Sequence, residues 1–359
     1  MGKFTIRQYL DGDGEEINAL YREVTGRQRS QEEYQWQWLL SPSGLGDIWL
    51  IIDEERGGKI IGHHGVMPIR FTRGDTDLLF GKIENTMVLP AYRGRVLYPR
   101  YEVRFQREYI KRYDALFATM GPSEAIRTRL ATGYQFPVEW RTLYIATGSA
   151  FSFDSVAFLR SKAWGYRSSI PSEPGGNDEL ELGLLKSGFL SSEAARSSSF
   201  LNQFWSNARH SFSVAPRRDA EDLQWRFWQN PYKRHYAFVF KERGAEGFAI
   251  VSVTSRGVWL EDIAVSPNET EAYQVFLGVF LDAMRSSGVS YFGFQSTSDA
   301  ANVPMLQAMD QHELLAIKLL RPLRKRTPAR MPRLVTERGG SRDVQLHDWT
   351  LTPIVTEGR

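Results

Sequence analysis

The stretch Lys82-Ile83-Glu84-Asn85-Thr86-Met87-Val88-Leu89-Pro90-Ala91-Tyr92-Arg93-Gly94-Arg95-Val96-Leu97-Tyr98-Pro99 carries the clearest capacity for chemistry in this 359-residue chain. It reads as a strand, a short basic loop containing glycine, and a helix whose first turn accommodates Pro99. Tyr101, Phe105, Tyr109 and Ile110 then follow at helical spacing. A glycine-containing loop entering a helix presents free backbone N–H groups and the positive end of the helix dipole, which together suit a phosphate. Arg93 and Arg95 add charge; the competing reading is a solvated basic turn. Glu84 lies on the strand face of Thr86 and Val88 and is the carboxylate best suited to accept a proton. It could equally serve as the ion-pair partner of a Lys or Arg at the strand start.

Other chemistries find less support. The histidines at 63, 64, 210, 235, 312 and 347 show no metal-ligand spacing beyond the adjacent pair. Neighbours on a strand point to opposite faces, so His63 and His64 do not readily share one ion, and no metal site is expected. No nucleophile elbow, Walker loop or dinucleotide fingerprint is present. With no cysteine, a disulfide framework, a thiolate nucleophile and a cysteine-ligated zinc are excluded. A net charge of +3 argues against a dedicated nucleic-acid binder, and the basic run Arg321–Arg333 reads as a solvated tail. The segment Met1–Leu10 has no apolar core of a secretory signal, and the longest apolar runs are strand-sized. A cytoplasmic protein without a membrane partner is expected, and an oligomer is compatible with the sequence.

The elements that would hold this stretch occur twice. Glu32-Glu33-Tyr34-Gln35-Trp36-Gln37-Trp38-Leu39-Leu40-Ser41-Pro42 matches Glu221-Asp222-Leu223-Gln224-Trp225-Arg226-Phe227-Trp228-Gln229-Asn230-Pro231 without a gap. Amphipathic helices precede the two copies, at Glu16–Val24 and Phe200–Ala208. Hairpins follow them, Trp49–Asp53 with Ile60–Met67 and Ala237–Lys241 with Gly247–Val253. With 42% apolar residues and 10 Trp there is material for two cores, and two domains are the ordinary expectation at this length. We place them at 1–148 and 200–359, with a Ser-rich linker at 149–199 in which Ser155–Trp164 could be helical. Val344–Leu351 reads as a last strand.

Pro90-Ala91-Tyr92-Arg93-Gly94-Arg95-Val96-Leu97-Tyr98 resembles the acyl-CoA diphosphate loop of the GNAT superfamily of N-acyltransferases. The segment after it fits as well: a strand at Asp114–Met120, Gly121-Pro122-Ser123, a helix at Glu124–Ala131, and Thr132-Gly133-Tyr134-Gln135-Phe136. The doubled Trp–Pro helix resembles a bacterial subgroup with two such domains in tandem. The resemblance implies an α/β (α+β) fold of two GNAT-like domains, each a mixed, mostly antiparallel sheet flanked by helices. It implies acetyl-CoA or another acyl-CoA as co-substrate and a small-molecule amine or amino sugar as acceptor. Met87, Val88 and Leu89 would pair with the pantetheine arm, and Arg93, Gly94, Arg95, Val96, Leu97 and Tyr98 would hold the diphosphate. Glu84 would act as base. Arg129 stands where the family often has a leaving-group tyrosine, so Tyr134 or Tyr98 would substitute as acid. Val96 replaces the second loop glycine. In the second copy Asn268-Glu269-Thr270-Glu271 takes the place of the loop, and its carboxylates would repel a diphosphate. The family also contains Fem-type transferases that use aminoacyl-tRNA, and a non-catalytic acyl-CoA-binding scaffold is a further alternative.

Overall fold

The computed structural model describes residues 4–93, 98–119, 123–135, 138–148, 177–242, 244–254, 257–313, 331–340, 342 and 344–351. The expectations for Ser155–Trp164, for Gly94 to Leu97 and for 321–330 lie outside these residues, as do the side chains of Tyr98 and Pro99. The chain divides into two compact units, one of residues 1–72, 76–137 and 330–347, the other of 73–75, 138–329 and 348–359.

The first unit contains β1 (Phe4–Gln8), α1 (Gly14–Thr25), α2 (Gln31–Trp38), β2 (Asp47–Asp53), β3 (Lys59–Arg73), β4 (Thr76–Val88), α3 (Tyr98–Tyr109), β5 (Ala115–Phe117) and α4 (Ser123–Ala131). A short strand from late in the chain, β12 (Arg333–Val335), completes its sheet in the order β1-β2-β3-β4-β5-β12. β1–β2, β2–β3 and β5–β12 are antiparallel, whereas β4–β5 is parallel. α1 buries Ile17, Leu20 and Tyr21 and stops at Gly26, whose φ of 73° needs a residue without Cβ. α2 begins with a reciprocal cap: Glu33 N–H donates to Ser30 Oγ (3.1 Å) and Ser30 N–H to the Glu33 carboxylate (2.7 Å). Its Trp36 and Trp38 are buried, and a Cβ on Gly65 of β3 would stand 2.2 Å from the Trp38 ring. A glycine is therefore required under that indole.

The second unit contains β6 (Trp140–Ala146), α5 (Asp178–Lys186), α6 (Ser192–Arg196), α7 (Ser199–Ala208), β7 (Ala215–Pro216), α8 (Ala220–Leu223), β8 (His235–Glu242), β9 (Ala245–Thr254), β10 (Gly257–Ser266), α9 (Thr270–Ser286), β11 (Tyr291–Thr297) and α10 (Val303–Asp310). Its sheet runs β6-β11-β10-β9-β8, parallel only between β10 and β11. Phe238, Phe276, Phe280 and Phe292 form the centre of its core. The chain thus folds as two mostly antiparallel mixed sheets flanked by helices, the class implied by the sequence.

The repeat extends beyond the tryptophans. Asp219 caps α8 by accepting from Asp222 N–H (3.1 Å), in the place held by Ser30 in the first copy. Arg29 and Arg218, one residue before each cap, are both buried beneath aromatic rings. The copies differ after the cap: α2 is α-helical through Trp38, whereas α8 passes into a π-helical turn at Gln224–Trp228. Removing either cap, Ser30→Ala or Asp219→Ala, is expected to cost about 1 kcal/mol, read as a lowered urea midpoint.

Three expectations on organisation are corrected. The first unit leaves off at 137, and β6 pairs with β11 in the second sheet, so 138–148 belong there. Residues 177–199 are not a linker, since α5 and α6 lie in them and Leu184 is part of the second core. Val344–Leu351 is not a strand; Trp349 makes a single bridge to Val214.

Candidate functional site

β4 and β5 pair only over Phe80–Lys82 and Ala115–Phe117, whereas β4 continues to Val88. The two parallel strands therefore part after Lys82, leaving one side of the β4 backbone unpaired with β5. At the start of this stretch Asn85 has φ of 50°, a left-handed conformation that asparagine tolerates better than most residues. Its carbonyl is turned toward β3, where His63 Nδ1 meets it at 2.7 Å. A carbonyl only accepts, so the proton sits on Nδ1 and the Nε2 lone pair is left over; that nitrogen is buried without a hydrogen-bond partner among the described residues. Burial pushes the His63 imidazole down to about 3, and the ring stays neutral at physiological pH.

The neighbouring residue serves the opposite face. His64 Nε2 lies 3.1 Å from Glu102 of α3 and its Nδ1 3.1 Å from the Tyr109 hydroxyl. Glu102 in turn faces Arg129 of α4, with Nε 3.9 Å from its other oxygen. Arg129 Nη2 donates to Thr86 Oγ1 on the parted stretch of β4 (3.3 Å). His64, Glu102, Tyr109 and Arg129, which link β3 to β4 through this run of contacts, are all buried. Tyr134 N–H donates to the Arg129 carbonyl (3.0 Å), and burial first, then the Glu102 charge, raises its phenol well above the ordinary range.

The proposed site residues fall as follows. Glu84 is buried and forms an ion pair with Lys82, which is itself fully buried. Leu89 N–H donates to Ile61 of β3 (2.9 Å), and the Val88 carbonyl accepts from Arg93 Nε (3.2 Å). Pro90–Tyr92 forms a 3₁₀ turn anchored by the Tyr92 hydroxyl on Asp53 (2.9 Å), which delivers Arg93 to the end of β4. Met87 is buried on β4. Sequence reasoning missed Glu102 altogether, gave Thr86 no role beyond sharing a face with Glu84, and favoured a core or hairpin role for His63 and His64. Alternation had already put the adjacent histidines on opposite faces; the partners on those faces come from segments distant in sequence.

The second unit has a related bend. β10 shifts register against β9 between Leu260 and Asp262, and Glu261 stands before Pro267 at the spacing of Glu84 before Pro90. Glu261 is buried, accepts from Lys233 (2.7 Å) and also pairs with Ser252. It titrates below the ordinary carboxylate range: burial opposes its charge, and Lys233, His235 and Ser252 together outweigh that. His235 sits fully buried beside it and is pushed down to about 4, chiefly by burial.

Both buried histidines titrate in the folded protein below their ordinary value of 6.5. Below that pH the unfolded chain takes up protons that the folded chain refuses, so stability is complete above 6.5 and is lost as pH falls toward 4. The urea midpoint should therefore drop between pH 7.5 and pH 5, and His235→Asn should show a smaller drop. An unchanged midpoint in the wild-type protein would contradict the assignment of neutral buried imidazoles.

Comparison with known proteins follows the same outline. Residues 5–125 match the family model described as an Acetyltransferase (GNAT) domain. No match was found among curated proteins. Among solved structures, the chain is similar to a conserved protein of unknown function from Enterococcus faecalis described as a probable N-acyltransferase. The TM-score is 0.57 at 11% identity, over 93% of this chain and 72% of that one. It is also similar to GCN5-related N-acetyltransferases from Anabaena variabilis (TM-score 0.52, 13% identity, 93% and 73% covered) and Kribbella flavida (0.50, 12%, 92% and 71%). At these identities the likeness establishes the fold.

Proposed function

We propose that the first unit, whose residues 5–125 match the Acetyltransferase (GNAT) domain model, transfers an acyl group from acyl-CoA, most simply acetyl, to a primary amine of a small molecule or amino sugar. The observation that carries this reading is the parting of β4 from β5 beside the Asn85 bend. Leu89 N–H is used by β3, so by strand alternation the backbone of Val88 faces the parted side; its carbonyl is held by Arg93, and its N–H is the group an amide-bearing pantetheine arm can pair with. Arg93 already reaches the end of that stretch, and the loop from Gly94 to Tyr98 would supply amides to the diphosphate.

In this reading the amine attacks the thioester carbonyl directly in a ternary complex. Glu84 is engaged by Lys82, and an amine that enters in its neutral form needs no base; Tyr134, the candidate acid, is held protonated by burial. The second unit, with Glu269 and Glu271 where a diphosphate would sit, serves as a structural or acceptor-side partner in the cytoplasm. Thermal unfolding of the full chain with CoA, acetyl-CoA and longer acyl-CoAs tests binding. A ligand at 100 times its Kd adds about 2.7 kcal/mol. Thiol release from the bound acyl-CoA with a panel of amines tests transfer. Absence of any shift would end the acyl-CoA reading, and a shift without thiol release would make the protein a non-catalytic acyl-CoA binder.

A further inference from the structure

Breaking a thioester leaves a full negative charge on sulfur, and a phenol kept protonated by burial is a poor proton donor to it. The parted stretch of β4 is faced by a different group. Arg129 is 3% exposed, its Nη2 donates to Thr86 Oγ1 at 3.3 Å, and its Nε has no hydrogen-bond partner among the described residues. Glu102 lies 3.9 Å from that nitrogen, beyond hydrogen-bond reach, and its other oxygen is committed to His64. A guanidinium has five N–H donors, and burying one with donors in surplus is costly unless something else uses them.

We propose that Arg129 is the catalytic group that receives the charge of the departing coenzyme thiolate. This rests on the acyl-CoA reading above. The amine nitrogen bonds to the acyl carbon, the C–S bond breaks with its electron pair going to sulfur, and the former amine proton passes to solvent. Arg129 gives up no proton: it holds the sulfur anion by charge and hydrogen bonding until CoA leaves. Glu102, which touches no reacting atom, is the positioning residue that aims the guanidinium from α3 toward Thr86.

The test varies the leaving thiol. Wild type and Arg129→Gln are compared with acetyl-CoA, the acetyl thioester of N-acetylcysteamine, and the acetyl thioester of a much less basic aryl thiol. Arg129→Gln should lose about 10²- to 10³-fold in kcat on the two alkyl thioesters, the range for removing one preorganised donor. It should recover most of that on the aryl thioester, whose thiolate needs no stabilisation. Arg129→Lys should retain more rate than Arg129→Gln. An equal loss on all three donors, or no loss, overturns the proposal. Should neither variant fold, the wild type decides alone: a shallow dependence of its rate on leaving-thiol basicity is expected, and a steep one refutes the role. If the wild type releases no thiol from any donor, it is the acyl-transfer reading itself that fails.

Discussion

Arg93→Glu is expected to abolish the stabilisation of the protein by CoA and acyl-CoA while leaving its melting temperature without ligand nearly unchanged. The side chain is exposed, and its hydrogen bond from Nε to the Val88 carbonyl ties down the end of β4 without supporting a core. Exposed substitutions of this kind fall within about 0.5 kcal/mol. For a diphosphate the change is severe, because a cation that pairs with the anion becomes a carboxylate that repels it. The whole increment of about 2.7 kcal/mol at 100 times the wild-type Kd should vanish. Arg93→Lys keeps the charge without the planar fork and should retain part of it. A wild-type ligand shift in Arg93→Glu would remove this turn from the binding site.

The second large effect is on stability. Arg218→Ala should destabilise the second unit by about 3–5 kcal/mol, the range for stranding one member of a buried ion pair. Arg218 and Asp262 are both fully buried and joined twice, Nε to Oδ2 at 2.8 Å and Nη2 to Oδ1 at 3.1 Å. The guanidinium also donates to the Pro216 carbonyl (3.1 Å) and packs over Trp205 and Phe212. Removing it leaves a carboxylate in the interior and a gap beneath two rings, against a total stability of about 5–15 kcal/mol for a typical protein. The double variant Arg218→Met with Asp262→Leu removes both charges and should recover much of the loss. Urea midpoints followed by circular dichroism measure both, and an R218A midpoint equal to wild type would show that the pair contributes nothing.

What the sequence disclosed, and what it hid, follows from the range of the interactions. The Trp–Pro repeat, α1, α7 and the two hairpins were readable because their patterns are local: apolar spacing, capping residues and glycine turns. β4 begins earlier than the chemistry of Lys82–Pro99 suggested, at Thr76, because Gly74 with φ of 55° turns the chain just after β3. The serines that made 177–199 resemble a linker include helix caps. Ser191 accepts from Ala194 N–H and Ser198 from Leu201 N–H, so the composition recorded two helix starts. The contacts of Glu102 with His64 and Arg129 join distant segments and leave no periodic trace. The pairing of Glu84 with Lys82 was local and was foreseen as the alternative to a base.

The placement of β12 has a consequence for biosynthesis. Arg333–Val335 zips against Ala115–Phe117, Thr336 N–H and Oγ both reach the Asp114 carbonyl, and Arg338 salt-bridges to the Asp114 carboxylate. A nascent chain emerging from the ribosome cannot close the first sheet when its N-terminal residues appear; it must wait until residue 335 and its neighbours have been translated. In that interval β5 offers bare N–H and C=O groups to any passing strand, an invitation to misassembly that early chaperone engagement would suppress. Closure of this sheet therefore waits on residues made long after β5 itself.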